Sequence, residues 1–334
     1  MTHPLKYYVD KLSNGDMKTG AIVLATEQGL GYLARDFYRN GLIDYVYIHE
    51  HSTRTNHREW YPRESTCRTI DELLEKSDII FGIETFFDWK VIPQARAKGK
   101  KTVLMPMYEC TPYPLPYEPD VIITPSDLDQ QYYPNGIRIN VPVSAEGRIR
   151  HVARTFVHNA GNGGLGGRNG TKELLEAIPL VKSPIKLIVR SQVTLDRLPK
   201  SVTQPIEEDD RVEVRIGSFD DIWSEGDVFV FPEKFNGLSL PIQEAYASGM
   251  PVMCGYRFPF NTWLPKELLI PVDRYKTERL AVEFQSAQLS PEAIAKHIDY
   301  WFNKDIREYS ESGIRWGEEN SWKNLSVHYK NIFS

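Results

Sequence analysis

The 334-residue chain lacks any apolar run that approaches the roughly 20 residues needed to span a bilayer. The segment from Met1 to Tyr8 also lacks the apolar centre of a secretory signal peptide. These two absences predict a cytoplasmic protein without an integral membrane segment.

Cysteine is scarce, and neither sign of charge dominates. Cys67, Cys110 and Cys254 are far apart and odd in number, which speaks against a zinc motif and favours reduced thiols. The formal net charge of −5 provides no positive field that would attract nucleic acid or an anionic membrane. Composition therefore does not indicate a general nucleic-acid or membrane-surface protein.

Apolar residues make up 41% of the sequence, which suffices for the cores of two domains. Predicted strands alternate with predicted helices almost throughout, so we expect an α/β fold with parallel sheets. The strands are predicted at 21–25, 45–48, 78–81, 102–105, 121–123, 155–158, 185–189, 211–215, 228–231 and 251–253. We expect an N-terminal domain at residues 1–147, a C-terminal domain at 148–318 and a final helix at 319–334.

The most informative stretch begins with four apolar residues, 228–231, which indicate a buried strand. A glycine-containing turn at 236–240 follows, and Pro241 suits the first turn of a helix. This succession predicts free backbone N–H groups at the positive end of a helix dipole, a site for phosphate or another anion. Glu244, one turn inside the helix, is predicted to accept hydrogen bonds from sugar hydroxyls.

The same stretch resembles the nucleotide-sugar motif of GT-B glycosyltransferases, especially retaining family 4, whose pattern is roughly E-G-F-G-L-P-x-x-E-A-x-A-x-G-x-P-V. This chain reads Asn236-Gly-Leu-Ser-Leu-Pro-Ile-Gln-Glu244-Ala-Tyr-Ala-Ser-Gly-Met-Pro-Val. The second Glu matches, and Asn236 stands in place of the first. The resemblance covers about 155–334, where Ser321-Trp322 to Tyr329 also fits the family's closing helix, and it is mainly topological before that.

The resemblance implies two Rossmann-like domains with parallel sheets that face a central cleft. It implies transfer of a hexose from a nucleotide diphosphate-sugar to a hydroxyl acceptor, with retention and with neither a metal nor another cofactor. The implied donor-binding residues are Gly163, Gly164, Arg168, Arg190, Gly217, Asn236, Gly237, Leu238, Ser239, Leu240 and Glu244.

The glycine-rich loop at 159–170 lies between a predicted strand and a predicted helix, where backbone can approach a ligand closely. In family 4 this loop carries an Arg and a Lys-Gly pair that hold the diphosphate. Gly170 matches the family's Gly, whereas Asn169 and Gly164 occupy the positions of the two cations. Arg168 and Arg190 are therefore predicted to supply the positive charge.

Catalysis is predicted to involve Arg168, which would stabilise the leaving phosphate, and one of two carboxylates. Glu84 follows a predicted strand, and Glu109 lies where many members of the family have a His. Either carboxylate could accept the proton of the acceptor hydroxyl. The acceptor-binding residues are predicted to be Gly29, Gly31 and Tyr32.

The acceptor class stays open among a glycan, a lipid and a small molecule. The basic loop at 49–68 adds hydroxymethylated DNA as a less favoured possibility. Asp127 and Asp129 fit the D-x-D pattern of a metal site, but Ser126 with Asp129 also fits a helix capping box, so we expect no metal.

Two other functions stay open. Gly29-x-Gly31, with Ala34 after it and Glu50 about twenty residues on, fits the dinucleotide fingerprint of an NAD(P)-dependent oxidoreductase. Alternatively, Asn236 and the missing Lys would suit a degenerate GT-B protein that binds a sugar nucleotide or a glycan without turnover.

Overall fold

A computed structural model describes residues 17–50, 55–144, 146–161, 167–217 and 222–334. The contacts divide this part of the chain into two compact units. The first unit comprises 17–106, 114–123 and 326–334, and the second comprises the described residues of 107–113 and 124–325. The contacts thus group 124–147 with the second unit, and the domain boundary at residue 147 stays a prediction.

The strands of the first unit, β1 to β6, have the order β3-β2-β1-β4-β5-β6 in their sheet. Their neighbours from β3 to β6 pair in parallel. The two central strands, β1 and β4, consist almost entirely of buried residues, as expected for a parallel sheet covered on both faces. The strands are β1 Thr19–Val23, β2 Tyr45–Ile48, β3 Thr66–Cys67, β4 Ile79–Glu84, β5 Lys101–Pro106 and β6 Val121–Thr124. The next strand along the chain, β7 Ile137–Arg138, consists of residues that the contacts group with the second unit.

The helices α1 Gly29–Arg39, α2 Ile70–Lys76 and α3 Val91–Ala97 connect these strands. Leu73 of α2 and Ile92 of α3 are fully buried in the same core cluster as Ile80 of β4. Both helices use their apolar residues to cover the sheet, while their charged residues face solvent.

The second unit contains an all-parallel sheet with the order β10-β9-β8-β11-β12. Its strands are β8 Thr155–Gly161, β9 Lys186–Ser191, β10 Val212–Ile216, β11 Val228–Val230 and β12 Val252–Met253. Counted within its own sheet, each unit has the strand order 3-2-1-4-5 of a Rossmann-like fold. The chain winds in opposite directions from the first strand of each sheet, which creates a switch point beside it.

Helices cover both faces of this second sheet. Ile242 of α7 packs with Phe229 and Val252 on one face, and Leu174 of α5 packs with Ile294 of α8 on the other. The helices from residue 124 onward are α4 Asp127–Tyr132, α5 Thr171–Ala177, α6 Lys200–Glu207, α7 Leu240–Ala247, α8 Pro291–Trp301, α9 Arg307–Glu319 and α10 Trp322–Ile332.

The end of α10 belongs to the first unit, since residues 326–334 group with it. Tyr329 is fully buried there, and its ring meets the edge of Phe37 with 5.0 Å between the ring centroids. Lys101 donates a hydrogen bond to the Ile332 carbonyl oxygen at 2.5 Å. The final helix thus contributes an aromatic anchor to the core of the first unit.

An antiparallel hairpin in the second unit lies outside the predicted elements. It consists of β13 Arg274–Arg279 and β14 Glu283–Gln288. Its first strand is polar and exposed throughout most of its length, so no apolar alternation marks it in the sequence. Phe284 anchors the hairpin by packing against Phe235 and Tyr108.

Gly31 allows the first turn of α1 to lie against the chain that precedes it, because a Cβ there would be 2.1 Å from the Thr26 carbonyl oxygen. Gly31→Ala should therefore lower the free energy of unfolding by about 1–3 kcal/mol through overpacking. The urea midpoint measures this loss. Arg39→Ala, at an exposed position of the same helix, is the control and should change the free energy of unfolding by less than about 0.5 kcal/mol. Equal midpoints for Gly31→Ala and the wild type would contradict the role of this contact.

Candidate functional site

The predicted donor-binding residues gather mainly at the switch point of the second unit, beside β8 and β11. Ligands of open parallel sheets bind where the strand order reverses, at the carboxyl ends of the strands. The loop after β8 contains Arg168, and the segment after β11 contains the turn at 236–240 and Glu244. Gly163 and Gly164 lie outside the described residues.

The two loops are joined by backbone contacts. The Lys234 N–H donates a hydrogen bond to the Arg168 carbonyl oxygen at 2.8 Å. Gly170 has a φ of +69°, and a Cβ on it would be 2.2 Å from the Pro232 carbonyl oxygen. Glycine is required here on both counts, because the conformation is left-handed and the neighbouring backbone leaves no room.

The side chain of Asn236 is bound within its own turn. Its Oδ1 accepts hydrogen bonds from the N–H groups of Leu238 and Ser239, both at 2.9 Å. This is an Asx-type turn, and it holds Ser239 with a φ of +43° immediately before α7. The prediction of free N–H groups throughout the turn is therefore wrong at these two residues, because Asn236 already satisfies them.

Gly237 lies against the start of α4. A Cβ on Gly237 would be 2.6 Å from Ser126 Oγ and 3.4 Å from Asp129 Oδ2. Both of those side chains are buried. The glycine of this turn is therefore explained by close packing against α4 as well as by any approach of a ligand.

Ser126 and Asp129 form the predicted capping box. Ser126 Oγ accepts a hydrogen bond from the Asp129 N–H at 3.1 Å, and the Ser126 hydroxyl donates to the Asp129 carboxylate. Asp129 also accepts from the Tyr108 N–H at 2.8 Å. Burial raises the pKa of Asp129 to about 6, although the hydrogen bonds from Ser126 and Tyr108 oppose that rise. The box thereby links α4 to the segment that carries Glu109.

A buried ion pair that the sequence did not reveal lies beneath the turn. Glu233 is 1% exposed and Arg257 is 4% exposed, and Arg257 Nη2 lies 3.2 Å from Glu233 Oε2. Burial raises the pKa of Glu233, whereas the charges of Arg257 and Arg168 oppose the shift. The signal in the sequence is limited to charged residues within two apolar stretches, Glu233 and Lys234 in 228–235 and Arg257 in 252–260.

Arg168 lies on the open side of this pair. Its Nε is 3.9 Å from Glu233 Oε1, its guanidinium lies 6.0 Å from the centre of the Phe235 ring, and 42% of its side chain is exposed. Its position leaves a cation accessible beside the turn, and its role in donor binding stays a prediction. Glu244 is also partly exposed, one turn inside α7.

Arg190 is predicted to point with Arg168 toward one edge of the sheet, and this stays a prediction. It lies near the end of β9, and its Nη2 is 3.2 Å from Glu225 Oε2. This ion pair links its guanidinium to the segment before β11. Gly217 follows the edge strand β10 with a φ of +144°, and a Cβ on it would meet no atom of the described residues within 4 Å.

The two candidate proton acceptors lie in different units. Glu109 is buried in the second unit, where its carbonyl oxygen accepts a hydrogen bond from the Ala281 N–H at 3.0 Å. Glu84 ends β4 in the first unit with a φ of +70°. A non-glycine residue in this left-handed conformation costs about 1–2 kcal/mol, and such strain concentrates at functional sites.

The predicted acceptor residues lie at the switch point of the first unit, after β1. Gly29 begins α1, and the Tyr32 ring stacks on Trp60 with 5.3 Å between centroids. The His57 ring also stacks on Trp60, at 4.9 Å, and its Nδ1 is 2.7 Å from Glu59 Oε1. The start of α1 therefore lies beside the stacked rings of His57 and Trp60, and the Glu59 carboxylate lies next to these rings.

The basic loop has less free positive charge than its composition suggests. Arg58 forms an ion pair with Glu50, and His57 contacts Glu27 as well as Glu59. Residues 51–54 of the loop lie outside the described residues. These pairs weaken the case for a DNA phosphate backbone at this loop.

The described part of the chain contains no cluster of three or more His, Cys, Asp or Glu residues arranged to hold a metal ion. Within the same residues, every helix is too short or too polar to cross a bilayer. Asp127, the first residue of the D-x-D pattern, binds Arg138 at 2.8 Å.

No protein-family model matches the chain, and neither does any curated protein sequence. Its structure, however, is similar to solved structures of glycosyltransferases. HepE from Anabaena, solved with UDP and glucose, gives a TM-score of 0.66 at 11% identity, with 95% of this chain and 98% of HepE covered. Sucrose-phosphate synthase from Thermosynechococcus elongatus gives 0.62 at 15% identity, with coverage of 95% and 98%. A glycosyltransferase from Rickettsia africae gives 0.65 at 10% identity, with coverage of 96% and 98%.

Sequence identities this low establish the fold, but not the family or the activity. The fold is GT-B, an α/β fold with two Rossmann-like units built on parallel sheets, and the predicted fold class is confirmed. Membership of family 4 stays a prediction.

Asp129 should make stability depend on pH. Its pKa is about 6 in the folded chain against 3.8 for an ordinary Asp, so its contribution is favourable below about pH 4 and is lost as pH rises through 6. Asp129→Asn keeps an acceptor for the Tyr108 N–H and removes the buried charge. We expect the variant to be more stable than the wild type at pH 7.5 by about 3 kcal/mol, with little difference at pH 4.

Urea unfolding at the two pH values measures this difference. Asp127→Asn removes a partly exposed carboxylate two residues away and serves as the control, which should not gain stability between pH 4 and 7.5. A constant difference between Asp129→Asn and the wild type across this range would show that Asp129 does not titrate there.

Proposed function

We propose that this protein is a glycosyltransferase that moves a hexose from a nucleotide diphosphate-sugar to a hydroxyl acceptor. The observation that carries the proposal is the turn at 236–240 with the accessible Arg168 beside it, at the switch point of the second unit of a GT-B fold. Phosphate groups bind where a cation and a helix N-terminus meet. HepE, similar in fold, was solved with UDP and glucose, which makes UDP-glucose the first donor to test.

Most of the donor-binding residues have a proposed task. Arg168 pairs with the diphosphate, and Glu244 accepts hydrogen bonds from ribose hydroxyls. Gly163, Gly164 and Gly217 would allow backbone to approach the nucleotide. Asn236 sets the shape of the turn, since its Oδ1 is bound to the N–H groups of Leu238 and Ser239. The backbone from Gly237 to Leu240 then presents the sugar-binding surface.

For the chemical step we propose retention without a metal ion, which is the mechanism implied by the resemblance to family 4. Arg168 would stabilise the charge that develops on the leaving phosphate. Glu84 and Glu109 are the proposed proton acceptors, and the strained backbone of Glu84 supports its assignment to a functional site.

The acceptor is proposed to bind residues of the first unit, Gly29, Gly31 and Tyr32, with its hydroxyl group directed to a carboxylate. A glycan, a lipid or a small molecule fits this proposal better than hydroxymethylated DNA, because Arg58 and His57 already contact carboxylates. The nicotinamide alternative receives no support from the similar structures, and packing against Thr26 explains Gly31 without a dinucleotide. We propose a cytoplasmic location for the reaction.

Binding of UDP-glucose tests the donor site. At a ligand concentration 100 times the dissociation constant, binding should stabilise the protein by about 2.7 kcal/mol, which corresponds to a rise of roughly 5 °C in melting temperature. Glu244→Ala and Arg168→Met should each abolish most of that rise. Glu207→Ala, an exposed residue at the end of α6, should leave it intact and is the control.

Release of UDP in the presence of candidate acceptors then separates an enzyme from a binding protein. A rise in melting temperature without UDP release would favour the degenerate GT-B alternative. If no nucleotide diphosphate-sugar raises the melting temperature, the donor site itself is assigned wrongly.

A further inference from the structure

Arg257 lies outside every motif in the sequence, yet its closest polar contacts are to the segment that forms the donor turn. Its Nε donates to the Glu233 carbonyl oxygen at 3.1 Å, and its Nη1 donates to the Asn236 carbonyl oxygen at 2.9 Å. Its Nη2 lies 3.2 Å from the Glu233 carboxylate. One rigid guanidinium thus fixes both ends of the segment from 233 to 236.

Phe260 holds Arg257 from the other side, with the guanidinium 4.7 Å from the centre of its ring. Because Arg257 is 4% exposed, it cannot reach solvent to bind a ligand itself. Its effect on any ligand must be exerted through the groups it contacts.

Glu233 connects Arg257 to the open side of the site. One of its oxygens faces Arg257, and the other accepts from Asn236 Nδ2 at 3.2 Å and lies 3.9 Å from Arg168 Nε. A carboxylate that is 1% exposed needs compensation of its charge, since an unpaired buried charge is costly. Arg257 supplies that compensation from below, so Arg168 is not required to neutralise Glu233 and keeps charge available for an anion.

We propose that Arg257 is a positioning residue for the nucleotide diphosphate, acting through Glu233 on Arg168. This inference rests on the proposed function, because it names how the donor site obtains its free positive charge. Without Arg257, Arg168 would be drawn onto Glu233 as its sole cationic partner. The donor diphosphate would then compete with Glu233 for Arg168.

A double-mutant cycle on binding of UDP tests this inference. Arg168→Met and Arg257→Met should each weaken the affinity for UDP, measured by calorimetry, by about tenfold, the usual size of a lost charge-assisted contact. The affinity of the double variant for UDP should be at most about threefold lower than that of the single variant with the lower affinity, because both substitutions remove the same interaction with the diphosphate. A role limited to folding would not produce this coupling.

Arg257→Lys keeps a positive charge beside Glu233 but cannot make the forked contacts to 233 and 236, and the cycle is repeated with it in case Arg257→Met does not fold. The double variant Glu233→Gln with Arg257→Met removes both buried charges. It should therefore have a higher melting temperature than Arg257→Met alone.

The outcomes separate the two proposals. If the two losses of affinity for UDP multiply in the double variant, this inference is overturned. An unchanged affinity in both Arg257 variants would overturn it as well, and either result would leave the proposed donor site in place. A wild-type protein that binds no nucleoside diphosphate would overturn the proposed function, and this inference with it.

Discussion

Reversal of strand order at the first strand of each sheet is the constraint on which the rest of this structure depends. In each unit, the first strand lies between the second and the fourth, so the connections leave it toward opposite sides. A crevice therefore opens at the carboxyl end of that strand. Arg168 and the turn at 236–240 lie at this point in the second unit, and Gly29, Tyr32 and Glu84 lie at it in the first.

Apolar patterns in the sequence were sufficient to locate ten strands of the two parallel sheets. The strand predicted at 45–48 has the observed limits, and those at 121–123 and 228–231 differ by one residue at one end. The hairpin of β13 and β14 was not predictable in the same way. Its first strand is stabilised by a single aromatic cluster around Phe284 of its partner, and its own residues alternate in no apolar pattern.

The site was predictable where glycine and proline determine the backbone conformation. It was less predictable where contacts between polar or charged side chains determine the structure. Gly237 and Pro241 mark the turn and the helix start correctly. The sequence did not reveal that Asn236 binds its own turn, because the same residue could equally have faced a ligand. Arg257 was missed since it lies 24 residues after Glu233 and carries no local signal. The parallel pairing of β11 with β12 brings the two segments that carry these partners side by side.

The departure from the family's pattern at Asn236 has a physical consequence for the charge of the turn. The motif that this chain resembles has a carboxylate at that position, near the ligand, whereas here the acidic residue is Glu233, buried beneath the turn. Arg257 compensates it within the protein, and Arg168 is left accessible on the open side. Within the cluster of Glu233, Arg257 and Arg168, two guanidinium groups against one carboxylate leave one formal positive charge. A diphosphate carries negative charge and a free sugar does not, so this arrangement favours the nucleotide over a neutral glycan as the ligand of the turn.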